Sequence, residues 1–166
     1  MPIQPGERIP EVVLQRIREG VEQVDTRSLF DGHRVLLFAV PGAFTPTCSE
    51  KHLPGYVEHF EEFRKRGIEV YCMAVNDPFV MQAWGKSQLV PDGLQMLSDG
   101  NGALAKALGL EMDASSYGMG VRARRFALYA EDGVVRALFV EAPGEFKVSA
   151  ADYVLQHLAD PQHLPT

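Results

Sequence analysis

Arg34-Val35-Leu36-Leu37-Phe38-Ala39-Val40-Pro41-Gly42 is the stretch on which the fold turns. After Arg34 the run is apolar without alternation up to Val40, the pattern of a strand buried on both faces of a sheet. Pro41-Gly42 then stops it, because proline supplies no N–H to a ladder and glycine admits turn conformations. A helix is expected to begin close to Thr45-Pro46. Threonine is a good N-cap, and proline is tolerated at the first helical position, where its missing N–H costs nothing. Pro54-Gly55 inside this helix predicts a kink. Arg64-Lys65-Arg66-Gly67 closes it, with cations at the negative end of the helix dipole followed by a C-cap glycine.

Ile68 to Val75 reads as a second strand, parallel to the first through a right-handed crossover. Farther along, Asp77 is expected to cap a helix that runs through Trp84 to about Ser87, and Asn101 or Gly102 to start another carrying Leu104 and Leu108. Phe126–Tyr129 and Val134–Val140 flank Glu131-Asp132-Gly133, a strong hairpin signal. Ser149 is placed as the cap of a last amphipathic helix with Val154, Leu155 and Leu158 on its apolar side. Before residue 30 the reading finds only a short apolar stretch, Val12-Val13-Leu14, and a charged loop. The fold class is therefore α/β, a central mixed sheet covered by helices, with an antiparallel hairpin after the α/β core.

At 166 residues the chain is long enough for one domain with a real core. Its 46% apolar and 23% charged residues are those of a soluble globular protein rather than a disordered one. No apolar run is long enough to span a bilayer. The opening Met1-Pro2-Ile3-Gln4-Pro5-Gly6-Glu7 lacks the basic-then-apolar order of a secretion signal, so the expected location is cytoplasmic, with no membrane partner. A formal charge of −6 argues against a nucleic-acid partner, and the cluster Arg122, Arg124 and Arg125 is too short to reverse that. Two cysteines, Cys48 and Cys72, cannot make a disulfide framework and read as reduced thiols.

Open α/β sheets place their sites at the carboxyl ends of strands. Cys48 falls there, in the first turn of the helix after the Val35–Val40 strand, where unpaired backbone N–H groups favour a thiolate. A lone cysteine is as often simply a small buried apolar residue, so position alone leaves both readings open. His52 lies four residues later on the same helix face. A Cys–His dyad or half a metal site has to be considered, but Cys72 sits in a strand interior and no second pair has ligand spacing. A packing or hydrogen-bonding histidine, with no metal and no cofactor, is the expectation.

The residues around Cys48 add a resemblance. Pro41-Gly42-Ala43-Phe44-Thr45-Pro46-Thr47-Cys48 has the Pro-x-x-x-Thr-x-x-Cys signature of the peroxiredoxins. The run on to His52-Leu53-Pro54-Gly55 resembles their type II (atypical, peroxiredoxin-5-like) branch. Val75-Asn76-Asp77 with Trp84, Asp99 with Gly102, and Gly118-Met119-Gly120-Val121-Arg122 leading to Arg125-Phe126 follow in the family's order, so the likeness runs from about residue 3 to residue 160.

The resemblance implies a thioredoxin-like fold over residues 1–166. It also implies a thiol peroxidase in which Cys48 attacks the O–O bond of hydrogen peroxide or an alkyl hydroperoxide and becomes a sulfenic acid. Thr45 would turn its hydroxyl toward the sulfur and the peroxide, and Pro41 would close the site against water. Arg125, the arginine directly before the aromatic, would face the sulfur and stabilise negative charge there, whereas the neighbouring Arg124 would point away. Phe44, Pro46, Thr47 and Tyr117 are the expected substrate-binding residues, Phe44 and Tyr117 as the walls of an apolar entrance. Relatives commonly form homodimers, and the same is expected here.

Many type II relatives carry a resolving cysteine in the C-terminal part. The corresponding region here, Pro143-Gly144-Glu145-Phe146-Lys147-Val148-Ser149, has none, and Cys72 matches the family's non-resolving cysteine. A one-cysteine cycle is expected, with glutathione and glutaredoxin, or else thioredoxin, as the external reductant. Three other readings rank lower. A peroxide-reactive redox sensor passing its oxidation to a partner protein would share every motif. A disulfide reductase lacks its C-x-x-C. A cysteine hydrolase using Cys48 and His52 lacks an orienting third group.

Overall fold

The computed structural model describes residues 2–158. The elements in chain order are β1 (Val13–Ile17), β2 (Val21–Asp25), α1 (Thr26–Phe30) and β3 (Arg34–Ala39), then a π-helical turn (Cys48–His52), α2 (Leu53–Glu58), α3 (Phe60–Lys65), β4 (Ile68–Ala74) and α4 (Pro78–Ser87). They are followed by β5 (Gln95–Ser98), α5 (Ala103–Ala107), β6 (Glu111–Asp113), a 3-10 turn (Ser115–Tyr117), β7 (Val121–Ala123), β8 (Phe126–Glu131), β9 (Val134–Val140) and α6 (Ala151–Leu158). Seven strands form one mixed sheet in the order β2-β1-β5-β4-β3-β8-β9, while β6 and β7 make a separate ribbon.

β3 lies in the sheet interior, parallel to β4 and antiparallel to β8. Its unbroken apolar run fits that place, since alternate side chains leave opposite faces of a strand. Val35, Leu37 and Ala39 pack in one core, with residues of α1 and α5. Leu36, Phe38 and Val40 pack in the other, with residues of α2, α3, α4 and α6. The β3–β4 crossover, the helix capped by Asp77 and the β8–β9 hairpin stand where the sequence puts them. Asp77 accepts a 2.8 Å hydrogen bond from the Val80 N–H.

Several elements differ from the sequence reading. The stretch before residue 30 forms the β1–β2 hairpin and α1, whose cap is Asp25. These strands lie at and next to the sheet edge and carry charge, as edges do, so the apolar signal is weak. β5, β6 and β7 are three or four residues long and were likewise not anticipated. The helix kinked at Pro54 is instead broken twice. A π turn, in which the Leu53 N–H reaches back to the Cys48 carbonyl, precedes the proline, and a break at His59 (φ −96°, ψ 8°) follows it. Pro54 has no N–H for the Glu50 carbonyl, and widening the preceding turn accommodates that loss. Helix α5 starts after Gly102, one of the two expected starts, and the Asp99 carboxylate accepts from its Leu104 and Ala105 N–H groups. Ser149 does not cap α6 with its side chain, because its hydroxyl is donated to Glu141.

Candidate active site

The site begins where β3 ends. Residues 41–45 turn sharply, with the Ala43 N–H donating to Asn76 Oδ1 at 2.9 Å, so the loop is fastened to the end of β4. Phe44 is held at φ 65°, a left-handed conformation that costs a bulky residue energy and that persists only where the surroundings enforce it. Gly42 permits the tight approach. A Cβ there would lie 2.9 Å from Met119 Cε and 3.3 Å from Arg122 Nη1. A helix then starts at Pro46, which puts Cys48 in its first turn, and the Ser49 N–H already bonds the Thr45 carbonyl at 2.9 Å.

Cys48 is fully enclosed, at 0% exposure, and Arg125 Nη2 lies 3.2 Å from its Sγ. Arg124 and Arg125 occupy the bend between β7 and β8 rather than a strand, yet they diverge as the sequence reading supposed. Arg124 turns to the Glu141 carbonyl, and Arg125 turns to the sulfur. The second arm of Arg125 reaches His52, with Nη1 2.9 Å from Nδ1. A guanidinium can only donate, so Nδ1 accepts. His52 Nε2 faces the Ser149 carbonyl at 3.2 Å and must therefore carry the hydrogen. Burial, and then the Arg125 charge, push the His52 pKa down to about 3, against a smaller upward pull from the Ser149 carbonyl, so the ring is neutral. His52 holds the arginine. It is no partner base for Cys48, because its one free lone pair is already taken.

Other expected residues are placed as follows. Pro41 is half-buried, with its carbonyl 3.5 Å from Arg122 Nη1. The Thr45 hydroxyl donates to the Gly42 carbonyl at 2.7 Å, so it secures the loop instead of donating to the sulfur. Pro46 is exposed and Thr47 half-buried on the helix that carries Cys48. Phe44 is 55% exposed, with its ring 6.5 Å from that of Trp84. Tyr117, the other expected wall of an apolar entrance, is 81% exposed on the 3-10 turn. Sequence reasoning passed over Asn76 and Arg122 as site residues, although both stand in the stretches that carry the family likeness. Glu141 and Phe146 gave no signal, and Ser149 only that of a helix cap, because they reach the site through tertiary packing. The Phe146 ring lies 5.1 Å from that of His52 and 5.9 Å from the Arg125 guanidinium carbon.

Cys72 stands on β4 beside Phe38 of β3, in the same apolar layer as Cys48, and both thiols are free. Burial, with a smaller contribution from Cys48, raises the Cys72 pKa well above the ordinary thiol value. Among the described residues, no group of three His, Cys, Asp or Glu side chains is placed to hold a metal ion. Among them, too, no helix is long and apolar enough to cross a membrane.

A mixed sheet with a cysteine at the head of the helix after an interior strand, and an arginine brought to that sulfur from a distant bend, defines a thiol protein of thioredoxin-like fold. The Redoxin family model matches residues 4–155. Peroxiredoxin-2B of Arabidopsis thaliana is 45% identical over 160 residues, which cover 95% of this chain and 99% of that one. The hybrid peroxiredoxin hyPrx5 of Haemophilus influenzae is 42% identical over 164 residues, covering 95% of this chain and 67% of that protein. Among solved structures, reduced Prx3 of Vibrio vulnificus in complex with H2O2 superposes with a TM-score of 0.90 at 44% identity, covering 94% of this chain and 99% of that one. The chain belongs to the peroxiredoxins, in their type II branch, and so to the thiol-dependent peroxidases.

Proposed function

We propose that Cys48 is the nucleophile of this peroxidase and that the chain runs a one-cysteine cycle. The Cys48 thiolate attacks one peroxide oxygen, an S–O bond forms, and the O–O bond breaks. The electron pair leaves on the distal oxygen, which takes a proton from solvent and departs as water or an alcohol. Arg125 stabilises the negative charge on sulfur and on the departing oxygen. The sulfenic acid then reacts with an external thiol to give water and a mixed disulfide. A second thiol releases Cys48 and leaves as the disulfide, so two reducing equivalents balance the one peroxide. The observation that carries this reading is the 3.2 Å approach of Arg125 Nη2 to Cys48 Sγ.

The one-cysteine form is supported by Cys72, which is enclosed in the core and held protonated, and by the absence of cysteine from 143–149. The reductant is glutathione with glutaredoxin, or else thioredoxin. The substrates are hydrogen peroxide and alkyl hydroperoxides, for which exposed Phe44 offers an apolar contact. Two unpaired thiols fit a reducing compartment such as the cytoplasm. Exposed Phe44, Phe79 and Val121 fit assembly as a homodimer, which sedimentation would test.

Stopped-flow oxidation by hydrogen peroxide, with Cys48→Ser beside the wild type, tests the nucleophile. A sulfenic-acid trap followed by trials of each thiol system tests the reductant. Loss of turnover in a folded Cys72→Ser variant would overturn the one-cysteine cycle.

A further inference from the structure

We infer that Glu141 is a positioning residue for Arg125, acting through the 147–149 turn and His52. Glu141 follows β9 and is 4% exposed, and one oxygen of its carboxylate gathers three hydrogen bonds. Oε2 accepts from the Lys147 N–H at 2.7 Å, the Ser149 N–H at 2.8 Å and the Ser149 hydroxyl at 2.6 Å. Burial alone would raise its pKa, but these bonds outweigh it and hold the carboxyl below its ordinary value, so it is an anion that closes the 142–149 loop on itself.

The loop so closed presents one group to the site. The Ser149 carbonyl accepts from the Tyr56 hydroxyl at 2.7 Å and from His52 Nε2 at 3.2 Å. That second bond fixes the imidazole as the tautomer whose Nδ1 can accept from Arg125, so the guanidinium orientation depends on where the Ser149 carbonyl stands. The same residue also grips the arginine from behind, because the Glu141 N–H donates to the Arg125 carbonyl at 3.0 Å. Phe146, carried by the loop, covers both His52 and the guanidinium. Arg125 is thus held at its backbone and at its head group by one short segment, and the segment keeps its shape through a single buried carboxylate.

This inference rests on Cys48 being the sulfur that peroxide oxidises, and the test separates the two. Stopped-flow oxidation by hydrogen peroxide is measured for wild type, Glu141→Gln, Arg125→Ala and the double variant, with circular dichroism to monitor the fold. Replacing the anion should slow oxidation of the wild-type background about tenfold, the scale of weakened charge-assisted hydrogen bonds, and should change it less than about twofold once Arg125 is absent. Reduction of pre-oxidised protein should be unaffected in rate. Equal oxidation rates for Glu141→Gln and wild type, or equal slowing in both backgrounds, would overturn the inference. Should Glu141→Gln fail to fold, Ser149→Ala, which removes one of the three bonds, carries the test with the same two outcomes. A wild type that does not react with peroxide at all would instead sink the reading of Cys48.

Discussion

Arg125 and His52 meet in a hydrogen bond that only a neutral imidazole can make: Nη1 lies 2.9 Å from Nδ1, and the other ring nitrogen is committed to the Ser149 carbonyl. The folded state therefore resists protonation of His52. Its pKa falls from 6.5 to about 3, and between those values the unfolded chain binds the extra proton. Stability from this residue is complete above about pH 6.5 and falls as the solution is acidified toward pH 3, at up to about 1.4 kcal/mol per pH unit. Urea unfolding at a series of pH values should show that slope in wild type and lack it in His52→Gln. Parallel profiles for the two proteins would refute the assignment.

Arg125→Ala should slow peroxide oxidation of Cys48 by about a hundredfold, the usual effect of deleting one preorganised donor at a developing anion. Thermal unfolding should register a loss of about 1–3 kcal/mol, because the buried His52 Nδ1 is left without its donor. Arg124→Ala, which touches the Glu141 carbonyl instead, should leave the oxidation rate within about twofold of wild type. Single-turnover kinetics of the two variants side by side decides between them.

Cys72→Ser tests more than the cycle. The site is sealed within an apolar layer, so the serine hydroxyl loses its water and should cost about 1–3 kcal/mol of stability. Cys72→Ala avoids that penalty, and both should turn over at nearly the wild-type rate under the proposed cycle. Denaturant unfolding and steady-state turnover with the preferred thiol read the two effects separately.

Trp84 is the chain's one tryptophan, and its indole N–H donates to Ser49 Oγ at 2.9 Å, on the residue next to Cys48. Its emission should change when Cys48 is oxidised, giving a direct signal for the stopped-flow work. Ser49→Ala leaves the buried indole without this acceptor and should cost about 1–3 kcal/mol. An emission trace that is flat on adding peroxide, while a sulfenic-acid trap reports oxidation, would show that the indole does not sense the sulfur.

The parts of this architecture legible in the sequence are those with strong local causes. Val35 to Val40 announces a central strand because no polar residue interrupts it, Asp77 announces a helix, and Asp132-Gly133 a turn. Cys48 and Arg125 could be named because each sits in a short motif. Other features have no local signature. The β1–β2 hairpin is polar because it lies at the sheet edge, and the π turn at Cys48–His52 arises from Pro54 in a helix that the sheet holds in place. Glu141 and Phe146 read as ordinary loop residues, and Ser149 as a helix cap, until the chain brings them behind His52. Thr45 illustrates the converse, since its motif is plain while its hydroxyl is spent on the Gly42 carbonyl.

The sulfur of Cys48 has no surface open to solvent, and the backbone around it is wound at five residues per hydrogen bond rather than four. Such a turn sorts reagents by bulk. The smaller a reagent is, the less the side chains over the sulfur must part for contact, so compact molecules are favoured over bulky ones. Enclosure of the thiol thus acts as a sieve placed ahead of the chemistry.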